Sequence, residues 1–301
     1  MNKYIIYSEN IHDYYLVMFL ELLSFSSDSS SFLVYLPKSK YFRIENIINQ
    51  LITEKNVKLN FTFYEDKRLF SIISKILFFF NNRKKTWIIL ELYNPIVKFL
   101  IVMLSKKFNH LFSVHSFDNF YLTKNIINPL ISSKFKTYIT FSENIRKNIL
   151  KIFKIESSVI PAYLPNKRFI QKRLYKIKSS NKQLIFTITG SVDQRRKDYL
   201  TIIDYFSKLD KDDYKLIFLG KTYDQNVIDY AFASNINFIF FDTYLDNDSF
   251  EKWMLKTDYL LGIFKNLRYI DEKFSGIFQD AFRYGIPIIT NVSDFAVSEK
   301  E

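Results

Sequence analysis

The chain has 301 residues, 48% of them hydrophobic, with only five Gly and six Pro; it is long enough for two domains with a core each and too apolar to be disordered. It contains no Cys, which excludes disulfides, thiolate metal sites and thiol nucleophiles. The net charge of +12 is lopsided, residues 1–160 holding 22 Lys and Arg against 12 Asp and Glu, and residues 161–301 holding 21 against 19.

Taken in order, short β-branched or aromatic runs alternate with stretches of helical period, the pattern of βα units on a mostly parallel sheet. The run KYIIYS (3–8) predicts a first strand, followed by an amphipathic helix from Asp13 to Phe25. This N-terminus breaks its apolar character at Glu9 and Asp13 and so lacks a signal-peptide core. The expectation is a cytoplasmic chain whose sequons at Asn60, Asn247 and Asn291 carry no glycan. Further strands are expected at SFLVYL (32–36 at its core), VKLNFTF (57–63), WIILEL (87–92), LFSVH (111–115) and TYITFS (137–142), with helices between them, one opened by Pro95. SSVIPAYLP closes this half, domain one being expected over residues 1–165.

The polar segment NKRFIQKRLYKIKSSNKQ (166–183) reads as a linker. A second series then runs LIFTIT (184–189), KLIFLG (215–220), NFIFF (237–241), DYLLGIF (258–264) and IPIIT (286–290), with helices such as Asp198 to Leu209 and Ser249 to Lys256. Domain two is expected over residues 184–301, and its short run after the last strand suggests a truncated second half. The longest apolar runs, LFSIISKILFFF and IVKFLIVML, fall short of the roughly 18 residues that span a bilayer. The 32 Phe and 21 Tyr read first as core and rim filling.

Ligands of such folds sit at the carboxyl ends of the strands, where strand order reverses. Two post-strand segments carry chemistry. In GSVDQRRKDY (190–199), Gly190 permits a tight turn, and Arg195, Arg196 and Lys197 stand beside a helix N-terminus, which suits a diphosphate. A solvated basic loop is the other reading. In EKFSGIFQDAFRYGIPIIT (272–290), Glu272 precedes Ser275-Gly276 at a helix start, Asp280 follows one turn inside, and Gly285-x-Pro287 makes the turn. Ser275 and Gly276 let backbone N–H groups approach a phosphate. A carboxylate such as Asp280 can accept from a ribose diol, and Glu272 can accept from sugar hydroxyls.

In order and about 75 residues apart, these segments resemble the retaining group 1, or family 4, glycosyltransferases. FSENIRKNILKIF and SSVIPAYLP look like the same family's passage at the end of the first half. The resemblance implies the GT-B fold, two Rossmann-like domains facing across a cleft. It also implies transfer of a sugar from a nucleoside diphosphate sugar to a polysaccharide or lipid-linked oligosaccharide, with retention and without metal or cofactor. Gly190, Arg196 and Lys197 would hold the diphosphate, together with the Ser275-Gly276 amides. Asp280, one methylene shorter than the usual Glu, would bind the ribose, and Glu272 would contact the donor sugar. His115 matches a His at the family's cleft, where it could steady the leaving phosphate or a sugar hydroxyl; an ordinary loop histidine is the alternative. The early Gly-Gly of the family is replaced by SENIHDYY. His12 with Asp118 could imitate the base dyad of inverting relatives, although their donor motif is absent.

The basic first half suits an anionic membrane surface, and aromatic-rich SKILFFFNNRKKTW points the same way. Excess Lys for solubility and ordinary sheet packing are the plainer readings. No nucleic-acid motif stands out, so no nucleic-acid partner is expected. The run Asp246-Asn247-Asp248 reads as a helix cap rather than a metal clamp. Two other functions remain open on one fold: a degenerate module that binds a partner transferase or glycan without catalysis, and a sugar-nucleotide epimerase.

Overall fold

The computed structural model describes residues 4–8, 13–24, 31–55, 58–64, 68–82, 85–90, 111–114, 137–160, 169–173, 183–265 and 275–292. It divides into two compact units, Met1–Ala162 and Tyr163–Glu301. The Pro95 helix, His12, His115, Asp118 and Glu272 lie outside the described residues.

The first unit is built on β1 (Tyr4–Ser8), β2 (Phe32–Pro37), β3 (Leu59–Tyr64), β4 (Thr86–Leu90), β5 (Leu111–Val114), β6 (Thr137–Thr140) and β7 (Ser158–Val159). They form one sheet in the order β3-β2-β1-β4-β5-β6-β7, each neighbouring pair parallel. The chain winds outward from β1 to one edge, returns beside β1 at β4 and continues to the other edge. Ile5, Ile6, Tyr7, Val34 and Leu36 are fully buried, as near-continuous apolar strands covered on both faces should be.

Helix α1 (Asp13–Ser24) buries five consecutive residues, Leu16 to Leu20. Helix α2 (Lys38–Lys55) instead offers Ile44, Ile48 and Leu51 at i, i+4 and i+7 to the core. Helix α3 (Arg68–Asn81) stacks Phe78 on Tyr35 and Phe79 on Trp87, with ring centroids 3.8 and 4.3 Å apart. Helix α4 (Glu143–Phe153) starts where Ser142 accepts from the Ile145 amide at 3.3 Å, a cap that contributes about 1 kcal/mol. It ends at Lys154, whose left-handed backbone (φ 56°) lets its N–H reach the Leu150 carbonyl.

In the second unit β8 (Leu184–Thr189), β9 (Tyr214–Lys221), β10 (Phe238–Phe241), β11 (Tyr259–Gly262) and β12 (Ile288–Thr290) form a separate parallel sheet, ordered β10-β9-β8-β11-β12. Helices α5 (Tyr199–Phe206), α6 (Gln225–Ala233), α7 (Asn247–Lys256) and α8 (Gly276–Tyr284) accompany it among the described residues. Ile188, Val192, Tyr199, Ile203, Phe218 and Ile228 sit at the centre of its core. Strand order reverses between β8 and β11. Each unit is therefore an α/β Rossmann-like domain.

The polar segment 166–183 is not wholly a linker. Residues 169–173 form a helical turn that belongs to the second unit. Phe169 packs on Tyr284 with centroids 4.9 Å apart, and buried Arg173 donates to the carbonyls of Thr257 at 2.7 Å and Asp258 at 2.9 Å. Those carbonyls belong to the two residues that link α7 to β11, so one cation satisfies backbone acceptors just past the helix end. Composition hides this, because the partners are 84 and 85 residues away.

Candidate functional site

The loop after β8 is built on two close-packed glycines. Gly190 has φ +88°, a conformation L side chains rarely adopt, and a Cβ on Gly220 would lie 2.2 Å from the Gly190 carbonyl oxygen. The Gly190 amide donates to Leu219 O at 3.1 Å and the Val192 amide to Lys221 O at 3.0 Å, so the loop continues along β9 before turning away. Buried Tyr199 donates its hydroxyl to Ser191 O at 3.1 Å from below.

Asp193 organises the turn that follows. Its carboxylate takes the Arg195 guanidinium at 2.9 Å on each oxygen, the Arg195 amide at 3.0 Å, and Arg196 at 3.6 Å. The Arg195 side chain holds the Asp193 carboxyl below the usual carboxylate range. Arg195 and Arg196 remain largely exposed, while Lys197 turns inward. The Lys197 ammonium donates to Thr189 O, directly behind Gly190, and burial lowers its pKa to about 8 although Asp280 pulls the other way.

The two helix ends nearby differ. The N-terminus of α5 is already served by its own cap, since Asp198 accepts from the Thr201 amide and hydroxyl and Gln194 accepts from the Leu200 amide. The anion attraction expected beside Arg195, Arg196 and Lys197 is thus largely met by a carboxylate of the chain. At α8 the reverse holds. Ser275 makes no side-chain cap, and a Cβ on Gly276 would meet nothing within 4 Å among the described residues. Among the described residues, no side chain caps that helix end, the kind of terminus that suits an anion.

Helix α8 packs on β8 and β11, and Asp280 is half-buried on it rather than on an open surface. Desolvation raises its pKa to about 6, against the Thr189 hydroxyl, Lys197 and Arg283, which lower it. The Thr189 hydroxyl lies beside this carboxyl without the geometry of a closed hydrogen bond.

The ends of β11 and β12 frame the other side. Lys197 bridges to Phe264, the Asp198 amide donates to Ile263 O at 2.9 Å, and Asn291 both accepts from the Phe264 amide and donates to its carbonyl at 2.9 Å. Thr290 donates to Gly262 O at 2.8 Å. Asn291, first noticed as a sequon, is a clasp between two strand ends.

Gly190, Lys197 and Asp280 therefore meet at the β8–β11 reversal, with Arg196 at the rim and Ser275 and Gly276 heading α8. Glu272 and His115 are outside the described residues. Sequence reasoning missed Asp193, Thr189 and buried Arg283. Asp193, two residues before an Arg pair, was the one with a readable signal. Asp246 caps α7, accepting from the Ser249 amide at 2.8 Å, and no group of three or more His, Asp or Glu gathers among the described residues.

No family model matches the sequence, and no curated protein matches it. Solved structures do. HepE from Anabaena, in complex with UDP and glucose, superposes with a TM-score of 0.63 at 10% identity, covering 96% of this chain and 80% of that one. The UDP-GlcNAc 2-epimerase of Neisseria meningitidis, bound to UDP-GlcNAc, gives 0.55 at 12% identity over 99% and 85%. A glycosyltransferase from Rickettsia africae gives 0.52 at 12% identity over 86% and 72%. At such identities the likeness is one of fold, and the fold of this chain is that of the GT-B glycosyltransferases and sugar-nucleotide epimerases.

Proposed function

We propose that the chain is a glycosyltransferase that moves a sugar from a nucleoside diphosphate sugar to a polysaccharide or lipid-linked oligosaccharide. The observation that carries the reading is the meeting of buried Lys197, the N-terminus of α8, which Ser275 does not cap, and the Asp280 carboxyl at the strand reversal of the second unit. That set would offer a cation and a helix N-terminus to a diphosphate and an acceptor to a ribose hydroxyl. The neighbours solved with UDP or UDP-GlcNAc support a donor of this kind. In this reading Arg196, Lys197 and the helix end meet the diphosphate charge, so neither metal nor cofactor is assigned a role. Glu272 contacts the donor sugar and His115 steadies the leaving phosphate, with retention, as in the group 1 transferases. The reaction belongs to the cytoplasm and the inner face of the membrane.

Two measurements test it. Nucleoside diphosphates should raise the melting temperature, one base more than the others, which names the donor class. Glu272→Gln should then keep nucleotide affinity and lose about 10²–10³ in turnover, the loss typical of a hydrogen bond used in the transition state. Lys197→Ala should weaken nucleotide binding itself. If no nucleotide sugar binds and Glu272→Gln changes nothing, the degenerate binding module takes the place of the enzyme. The epimerase reading has one observation in its favour, the superposition on the Neisseria enzyme. It predicts an altered sugar nucleotide in reactions lacking any acceptor.

A further inference from the structure

Each sheet has two edges, and the four are not alike. Among the described residues β7 is two residues long, β12 three and β10 four, with its register broken between Ile239 and Phe241. Short or bulged edges of this kind resist pairing with another chain. Strand β3 has none of these protections. Its six residues, LNFTFY, hold no charge and no Pro, and they pair with β2 residue for residue without a shift. The ladder also fixes which groups β3 presents on its other side. The Phe32 amide donates to Lys58 O at 3.0 Å, so residues 58, 60, 62 and 64 turn their backbone groups to β2, and Leu59, Phe61 and Phe63 turn theirs outward.

The strand that fits this edge is β3 of a second copy. Leu59, Phe61 and Phe63 share one face of the sheet. Tyr41 of α2 packs on both Phe rings, its centroid 5.1 Å from that of Phe61 and 4.8 Å from that of Phe63, and still leaves Phe63 40% exposed. With β3 antiparallel to itself about a two-fold axis at Phe61, Phe61 opposes Phe61 and Leu59 opposes Phe63, so every pair on that face is apolar. The three outward residues of each copy then exchange both backbone bonds, about six in all, and a slip by two residues loses about two of them. Charge does not oppose the contact, although the first half is basic. Residues 59–64 are neutral, and in this register the Lys58 residues of the two copies stand roughly 20 Å apart, beyond the screening length of about 8–10 Å. We propose that two copies of the chain join through β3 in this register, which extends the sheet of the first unit across a symmetric dimer. The inference is independent of the transferase reading: nucleotide binding can fail while the dimer stands, and the reverse.

The test is sedimentation velocity of the full chain over a range of concentrations. The expected result is a reversible shift from the 36.2 kDa monomer to twice that mass. Phe63→Pro removes an outward N–H and no bond to β2, on an edge strand, where Pro is tolerated. It should keep the circular dichroism spectrum and raise the dimer dissociation constant at least about tenfold. Because the chain has no Cys, single substitutions report the register. Phe61→Cys sets two thiols on Cα atoms about 5.5 Å apart, within disulfide reach, whereas Phe63→Cys sets them roughly 14 Å apart. Mild oxidation should cross-link the first variant as a dimer and leave the second uncrosslinked. Should Phe63→Pro fail to fold, the two Cys variants decide alone. A chain that stays monomeric at every concentration overturns the proposal, and any strand that β3 takes up would then come from another protein. A dimer that folded Phe63→Pro leaves intact overturns it too, as does a Phe61→Cys chain that cross-links no better than Phe63→Cys.

Discussion

Burial behind Gly190 sets the titration of Lys197 near pH 8, well below an ordinary lysine, and this makes nucleotide binding pH-dependent. Below pH 8 the ammonium is charged and attracts a diphosphate; above it the charge is lost. Affinity for a nucleoside diphosphate should fall as pH rises through 8, approaching about tenfold per pH unit, and calorimetry near pH 8 should record proton uptake on binding. A flat affinity from pH 7 to 9.5 would remove Lys197 from the site. Stability has the opposite sign from the usual ion pair. The folded pKa of Lys197 lies below its unfolded value of 10.5, so the unfolded chain binds more protons between about 8 and 10.5 and stability rises with pH there. The folded pKa of Asp280, about 6, lies above its unfolded value of 3.8, so its contribution improves as pH falls through that window. Both groups are least favourable to folding around neutrality, where an anionic ligand would be useful to Lys197. A second residue-scale prediction concerns the loop itself. Gly220→Ala puts a Cβ 2.2 Å from Gly190 O, which the two strands must separate to admit. It should cost about 1–3 kcal/mol in urea denaturation and weaken diphosphate binding with it.

Among elements, what the sequence shows and what it hides follows the range of the interactions. Strands such as KYIIYS and LIFTIT are legible because a doubly covered parallel strand must be apolar along its length. Asp246 before a helical stretch is likewise a readable cap, and it accepts from the Ser249 amide. The choice between the N-termini of α5 and α8 as the open one is not readable, since it depends on whether Asp198 and Ser275 turn their side chains back onto amides. Arg173 and Asn291 are hidden for the same reason: each binds backbone groups of a distant segment, for which composition has no signature. The helical turn at 169–173 shows the consequence for stability. Gly285, the left-handed C-cap of α8 (φ +62°), has so little space that a Cβ there would lie 3.0 Å from Ile170. Arg173→Leu removes the donors of two carbonyls between α7 and β11 while keeping much of the side-chain volume. The expected loss is about 2–3 kcal/mol, the worth of charge-assisted hydrogen bonds plus the carbonyls left unsatisfied, read as a lower urea midpoint. An unchanged midpoint would return residues 169–173 to the status of a linker.

At the scale of the molecule, two parallel sheets with separate strand orders and separate cores imply two folding units. The two strand series were visible in the sequence, and so was the charge difference between the halves. The sequence reading ends the first domain at residue 165 and treats 166–183 as a linker, whereas Phe169 and Arg173 of that stretch are buried in the second unit. Scanning calorimetry should resolve two transitions, and Arg173→Leu should lower one of them, which identifies it as the second unit. A nucleoside diphosphate at a hundredfold excess over its dissociation constant stabilises the unit that binds it by about 2.7 kcal/mol, several degrees for a domain of this size. The shift should appear in the transition that Arg173→Leu lowers and be absent from the other. Lys197→Ala should abolish it without moving the first transition, because Lys197 contributes to the ligand site and not to the sheet of the first unit. A shift confined to the other transition would place the nucleotide in the first unit and remove the β8–β11 reversal as its site. A single transition displaced as a whole would mean that the two cores unfold together, and the ligand would then have to be located by the Lys197 variant alone.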